Sequence, residues 1–270
     1  MEGIGPGKFR NLLARFKSTD QVLSADSASL METEGININL AKRIQRIGSR
    51  YNEFSNRIQS EQEKLDKLHA SIVTVWDEEY IPALKKIYDP PIILYTIGTH
   101  HENDIYSISV VGTRLPTNYG RIQAERLTSE LAVQGITIVS GMARGIDSVA
   151  HTATLRGNGR TVAIIGSGLD VIYPPENKKL FQEISEKGLV ISEYPPGTQP
   201  DAQNFPKRNR IISGLSLGTL VVETGIKGGA MQTTSFALDQ GKEVFAVPGN
   251  LGVRQSEGTN LLIQKGEAKL

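Results

Sequence analysis

Up to Ile72 the apolar positions recur at helical spacing. Phe9, Leu12, Leu13 and Phe16 share one helical face, and Ile58, Leu65, Leu68 and Ile72 repeat the period. The pattern predicts short helices followed by a longer one covering residues 47–72. From Ile92 onward the chain changes to short apolar runs that mostly lead into Gly or Ser. They are Ser109–Val111, Ile136–Val139, Val162–Ile165, Leu189–Ile191, Leu220–Val222 and Val244–Val247, with helical stretches such as Arg121–Val133 and Met231–Asp239 between them. Strands alternating with helices predict βαβ units and an α/β fold with a mostly parallel, doubly wound sheet. The intervening stretch from Trp76 to Gly98 carries Asp89-Pro90-Pro91 and reads as a docked linker, with the composition shifting near residue 90. The expected organisation is a helical N-terminal domain over 1–72 and an α/β domain over 73–270 that includes the 73–98 lead-in.

Composition narrows the function. The 270 residues hold 30 Lys+Arg and 29 Asp+Glu, a net charge of +1, which argues against a protein that holds nucleic acid by bulk basicity. The lack of Cys removes disulfides, thiolate nucleophiles and Cys-ligated metal sites together. No apolar run approaches the roughly 18–20 residues of a membrane span, and no signal-peptide pattern follows Met1. A soluble, cytoplasmic protein is the expectation.

The candidate chemistry sits where strands end. In an open parallel sheet the ligand crevice lies beyond the carboxyl ends of the strands. Here those ends read Val111-Gly112-Thr113-Arg114, then Ser140-Gly141-Met142-Ala143-Arg144-Gly145, then Ile165-Gly166-Ser167-Gly168, then Val222-Glu223-Thr224 before Gly228-Gly229. A strand turning tightly into a helix offers free N–H groups and the positive end of the helix dipole, and Arg114 and Arg144 add charged forks for phosphate oxygens. Any one such loop is more often there for backbone geometry. Four on one sheet edge, two with an arginine, point to an anion. The dinucleotide fingerprint is not met, because Gly166-Ser167-Gly168 is followed by Leu169, Asp170 and Val171; no P-loop lysine follows a glycine loop either.

The densest cationic stretch is Phe205-Pro206-Lys207-Arg208-Asn209-Arg210, which reads as a phosphate track beside a stacking aromatic. Lys178 and Lys179 form a smaller patch. Asp147 reads as a helix N-cap, with His151 one turn on, and Ser140 and Ser167 as hydroxyl donors to phosphate. Glu223 is the one carboxylate placed like a member of a nucleotide-cleaving site, although a satisfied structural carboxylate is the plainer reading.

Taken in order, these motifs resemble the DprA/Smf family of DNA-processing proteins. The resemblance runs from Thr74 to Gly266 and also takes in Tyr173-Pro174, Ser192-Glu193-Tyr194-Pro195-Pro196-Gly197, Ile211-Ile212-Ser213-Gly214, Ala246-Val247-Pro248-Gly249 and Gly258-Thr259-Asn260. Membership implies an extended Rossmann-like domain that binds single-stranded DNA without sequence preference, typically as a homodimer. It implies protection of incoming strands in natural transformation, help in loading the RecA recombinase, no cofactor and no catalysis. The implied DNA site falls on Gly112, Arg114, Ser140, Gly141, Arg144, Gly145, Lys207, Arg208, Asn209 and Arg210, with Lys178 outlying. Gly228 departs from the family's usual Ser, and many members continue past the position of Leu270 into a winged-helix domain. Gly3-Ile4-Gly5-Pro6-Gly7-Lys8 looks like a helix-hairpin-helix turn within a sterile-alpha-motif-like region, expected to be mainly structural.

The rival reading is an enzyme. Leu217-Gly218-Thr219-Leu220-Val221-Val222-Glu223 faintly echoes the turn of lysine-decarboxylase-like phosphoribohydrolases, but Gly214-Leu215-Ser216 lacks the double glycine before it.

Overall fold

The computed structural model describes residues 3–270, and the chain divides into two compact units, the first ending at Asp66 and the second spanning Lys67–Leu270. The first unit contains helices α1 (Pro6–Phe16), α2 (Thr19–Ser24), α3 (Ser27–Met31), α4 (Ile38–Ser49) and α5 (Tyr51–Lys67). The stop and start signals are local. Pro6 opens α1, and Ser18, Asp26 and Asn37 accept N–H bonds from Gln21, Ser29 and Leu40 as caps of α2, α3 and α4. Leu12, Val22, Leu30, Ile36, Leu40, Ala41 and Ile44 pack into its core. Gly3–Gly5 leads directly into α1, with the Lys8 Nζ donating to the Gly3 carbonyl at 3.0 Å.

The single long helix expected over 47–72 is not formed. Helix α4 ends at Ser49, α5 ends at Lys67, and the chain turns through His69 at φ +52. Ile72, Val73 and Thr74 then lie in a strand. Three consecutive β-branched residues favour that state, whatever helical spacing Leu65, Leu68 and Ile72 happen to show.

The second unit holds one eight-stranded sheet in the order β1-β2-β6-β5-β4-β3-β7-β8. The elements are β1 (Ser71–Thr74), β2 (Ile93–Gly98), β3 (Ser107–Val111), α6 (Asn118–Val133), β4 (Thr137–Ser140), α7 (Ile146–Arg156), β5 (Thr161–Ile165), α8 (Lys178–Lys187), β6 (Leu189–Ser192), α9 (Asn204–Leu215), β7 (Gly218–Val221), α10 (Gly229–Asp239), β8 (Glu243–Ala246) and α11 (Glu257–Gln264). Strands β3 to β8 are parallel where they pair, whereas β2 runs antiparallel to β6 and to β1. The stretch read as a linker is therefore more than one, since it supplies β2 and follows directly on β1. Its Tyr80, Ile81, Leu84 and Ile87 are buried in the same cluster as Ile211, Ile212 and Leu215 of α9. On the other face Ala124, Ile146 and Ala150 pack on Val110, Ile138 and Leu220. A sheet covered on both faces explains why the strands read as continuous apolar runs.

The topology positions the site. From β3 the chain goes to β4 on one side, and later enters β7 on the other. The reversal between β3 and β7 is the switch point at which such sheets leave a crevice.

Candidate nucleic-acid interface

At that switch point the loop after β3 is clamped from two sides. The Thr113 N–H donates to the Glu223 carbonyl at 2.7 Å, and the Ile146 N–H donates to the Thr113 carbonyl at 3.2 Å. A Cβ on Gly112 would lie 2.5 Å from Ile146 Cγ1, and one on Gly145 would lie 2.3 Å from the Thr113 oxygen. Gly145 also holds φ +78, a backbone region that side-chain-bearing residues rarely adopt. The clamp turns the Arg114 side chain outward into solvent.

The loop after β4 is built around buried charge. Asp147 Oδ2 accepts from the N–H groups of Gly141 (3.2 Å) and Ala143 (3.3 Å), and Arg208 Nη1 donates to the Gly141 carbonyl at 2.7 Å and to the Ile164 carbonyl. Asp147 lies inside the first turn of α7, with Gly145 in the cap position, so the N-cap expectation is corrected: the carboxylate folds back onto its own preceding loop. Burial pushes its pKa up to about 6, against the opposing pull of Arg208 and the two N–H groups. Burial likewise brings Arg208 down to about 10. His151, also pushed down by burial, to about 3, is neutral and bonds Thr161 Oγ1 at 2.6 Å. Ser140 Oγ donates inward to the Val110 carbonyl at 2.6 Å.

Above these loops lies a four-residue array. The Arg114 guanidinium stands 5.6 Å from the Phe205 ring centre, and Arg144 stands 6.0 Å from that of Tyr173. The two rings are 5.6 Å apart and tilted by 42°. Cations over aromatic faces are attracted by the ring quadrupole. Beside the array opens a cleft of about 680 Å³ lined by Gly112, Arg114, Phe205, Asn209, Thr224 and the start of α10 at Gly228-Gly229. A narrower recess that shares Tyr173 and Phe205 with the cleft is lined by Gly141, Arg144 and Gly166. Arg144 shares its fork with Glu176, whose Oε2 accepts from Nη2 at 3.1 Å while Oε1 takes the Nε–H. The hydrogen bond from Arg144 holds the Glu176 carboxyl below its usual range.

The family described as DNA recombination-mediator protein A matches residues 71–270. This chain belongs to that family. It is 39% identical to the Smf protein of Synechocystis over 270 residues, which is 98% of this chain and 67% of that protein. The solved structure of DNA processing protein A (DprA) from Streptococcus pneumoniae superimposes with a TM-score of 0.81 at 33% identity, covering 99% of this chain and 90% of that one. A DprA structure from Helicobacter pylori, described for its single-stranded DNA binding mode, gives 0.67 at 33% identity over 74% of this chain and 89% of that one. The chain spans about two thirds of the length of the Smf and DprA relatives from Synechocystis and Bacillus subtilis.

Within this DprA/Smf domain, the residues singled out from sequence separate. Gly112, Arg114, Gly141, Arg144 and Asn209 line the cleft or the recess, and Gly145 holds the loops beneath. Lys207 is exposed on α9, and Lys178 is exposed at the first position of α8. Ser140 faces inward. The Lys207–Arg210 stretch does not form one track. Arg208 lines the cleft floor but is buried, and Arg210 is buried elsewhere, donating to Glu193 Oε1 (2.6 Å) and Oε2 (2.9 Å) and to the Asp89 carbonyl (3.0 Å). Arg208 lies about 100° round the helix from Lys207 and turns inward to the Gly141 and Ile164 carbonyls, whereas Arg210, on the same side as Lys207, is drawn down by Glu193 and Asp89.

Glu223 is a structural carboxylate, and the enzyme reading loses its acid. It is buried, and its Oε1 and Oε2 accept from the Oγ1–H (2.6 Å) and N–H (2.9 Å) of Thr117. Gly120 makes room for it, since a Cβ there would lie 2.2 Å from Oε2. Sequence reasoning missed Tyr173 as the partner of Phe205, and Glu176 as the partner of Arg144. Tyr173 stood in a Tyr-Pro-Pro turn with nothing local to mark its contact.

Proposed function

We propose that this protein binds single-stranded DNA without sequence preference and without catalysis. The carrying observation is the Arg114–Phe205–Tyr173–Arg144 array at the mouth of a cleft beyond the strand ends. Aromatic faces accept any base by stacking, and cations beside them meet the backbone, which is the chemistry of sequence-tolerant single-strand binding. Exposed Lys207 on α9 and Lys178 at the start of α8 add further cations. The H. pylori relative, described as binding single-stranded DNA, supports the same reading. The buried, doubly occupied Glu223 favours binding over nucleotide cleavage.

In the cell the role that follows is protection of incoming strands during natural transformation and help in loading RecA onto them, by a cytoplasmic homodimer. No helix among the described residues is long and apolar enough to cross a membrane. The test is fluorescence anisotropy of a labelled oligonucleotide of about 30 nucleotides, enough for more than one single-strand site, at low salt. Binding that falls with salt and weakens in the Arg114→Ala/Lys207→Ala double variant supports the reading. No anisotropy change, or intact binding by the double variant, overturns it.

A further inference from the structure

We propose that Glu176 is a built-in competitor for the phosphate at Arg144, and that it sets the affinity and salt dependence of the strand. The inference rests on the single-stranded DNA reading of this site. Arg144 presents Nε and Nη2 to the two oxygens of the Glu176 carboxylate, the paired geometry in which a guanidinium also takes a phosphate. The donors a backbone phosphate would use are therefore already occupied.

The carboxylate is held in place by its neighbour. Glu176 belongs to a 3-10 turn, Pro175–Asn177, and Asn177 Nδ2 donates to the Met142 carbonyl at 2.8 Å and to Ser148 Oγ at 2.9 Å. Asn177 is 8% exposed. The turn is thereby bolted to the loop that carries Arg144, and the acid stays beside the base through local motion.

The two halves of the array differ in this respect. Among the described residues no carboxylate is ion-paired with Arg114, whose charge reaches the buried Asp147 without such a pair, whereas Arg144 is capped. The capped pair is itself half-exposed, with 49% and 52% of the two side chains accessible. Pairs in that setting contribute little, so a phosphate can displace Glu176 while losing part of its own gain. Arg114 then engages a strand first, and Arg144 follows only when a phosphate lies close enough to compete.

Anisotropy titration of Glu176→Gln at several salt concentrations tests this. The expected result is binding about two- to five-fold tighter at low salt, with a salt slope steeper by about 0.7, the value of one extra single-strand phosphate contact. The gain disappears when Arg144→Ala is added, because the competitor then has nothing to guard. Glu183→Gln removes a half-exposed acid of α8 paired with Lys179 and leaves binding unchanged. Equal or weaker binding by Glu176→Gln, a gain that survives Arg144→Ala, or an equal gain in Glu183→Gln each overturns the competitor. If the unaltered chain shows no binding, the site reading fails and the competitor with it; if it binds and Glu176→Gln is neutral, only the competitor fails.

Discussion

Arg208, on α9, donates to the carbonyl of Gly141, 67 residues earlier, at 2.7 Å. A residue that the sequence offers as a DNA contact is also a strut that fixes the loop beneath the proposed DNA-binding array. Removing it takes from the buried Asp147 the larger of the two arginine charges that act on it, Arg114 being the other. Arg208→Ala should lose about 3–5 kcal/mol of folding free energy, the usual consequence of stranding a buried charge. Urea unfolding at pH 7 measures this, and a loss below about 1 kcal/mol contradicts the strut.

The surface arginine and lysine should behave differently from the buried one. Arg114→Ala and Lys207→Ala should each lower affinity several-fold at low salt and flatten the salt slope by about 0.7. Arg210→Ala should leave the slope unchanged and lower Tm, because its partners are Glu193 and Asp89. Titrations across salt, paired with thermal melts, separate the two classes.

Gly145→Ala should be the most damaging single methyl in the site. The substitution forces a side chain into φ +78 and drives its Cβ against the Thr113 oxygen. Backbone strain alone is worth about 1–3 kcal/mol, and relief requires moving the loop that aims Arg114. A binding loss of more than about ten-fold in a chain that still melts cooperatively is expected; unchanged affinity would show that the clamp is not needed.

Acid titration has two opposed contributors. Asp147 has a native pKa of about 6 against an ordinary 3.8, so between those values the folded state holds more protons than the unfolded one and stability falls as pH rises. His151 has a native value of about 3 against 6.5, so across that span stability rises with pH. The two slopes offset one another between about pH 4 and 6. Asp147→Asn removes one of them, and its stability should therefore rise more steeply with pH over this window than that of the unaltered chain. Denaturant midpoints at pH 4, 5, 6 and 7 check this, and parallel curves would contradict it.

Much of the fold was legible because the parallel strands are buried on both faces and announce themselves as apolar runs. The antiparallel pair β1–β2 was not, since Ser71, Ile72, Ile93 and Gly98 are exposed and the strands lie among prolines and charges. The glycine loops were legible as a group because tight βα turns require glycine. What remained hidden were long-range partners. Nothing near Arg210 signals Glu193, nothing near Tyr173 signals Phe205, and a run of cations in sequence carries no statement of which side of a helix each occupies.

The tilt between Tyr173 and Phe205 has a consequence for the shape of whatever lies on them. Two bases resting on planes inclined by 42° cannot remain parallel to each other. A chain that uses both rings must break its own stack and swivel its sugar–phosphate links between neighbouring nucleotides. A lone strand bends that way readily, whereas paired strands are stiffened by coplanar stacking. Under the proposed single-strand reading the inclined rings act as a mechanical filter that selects for pliability.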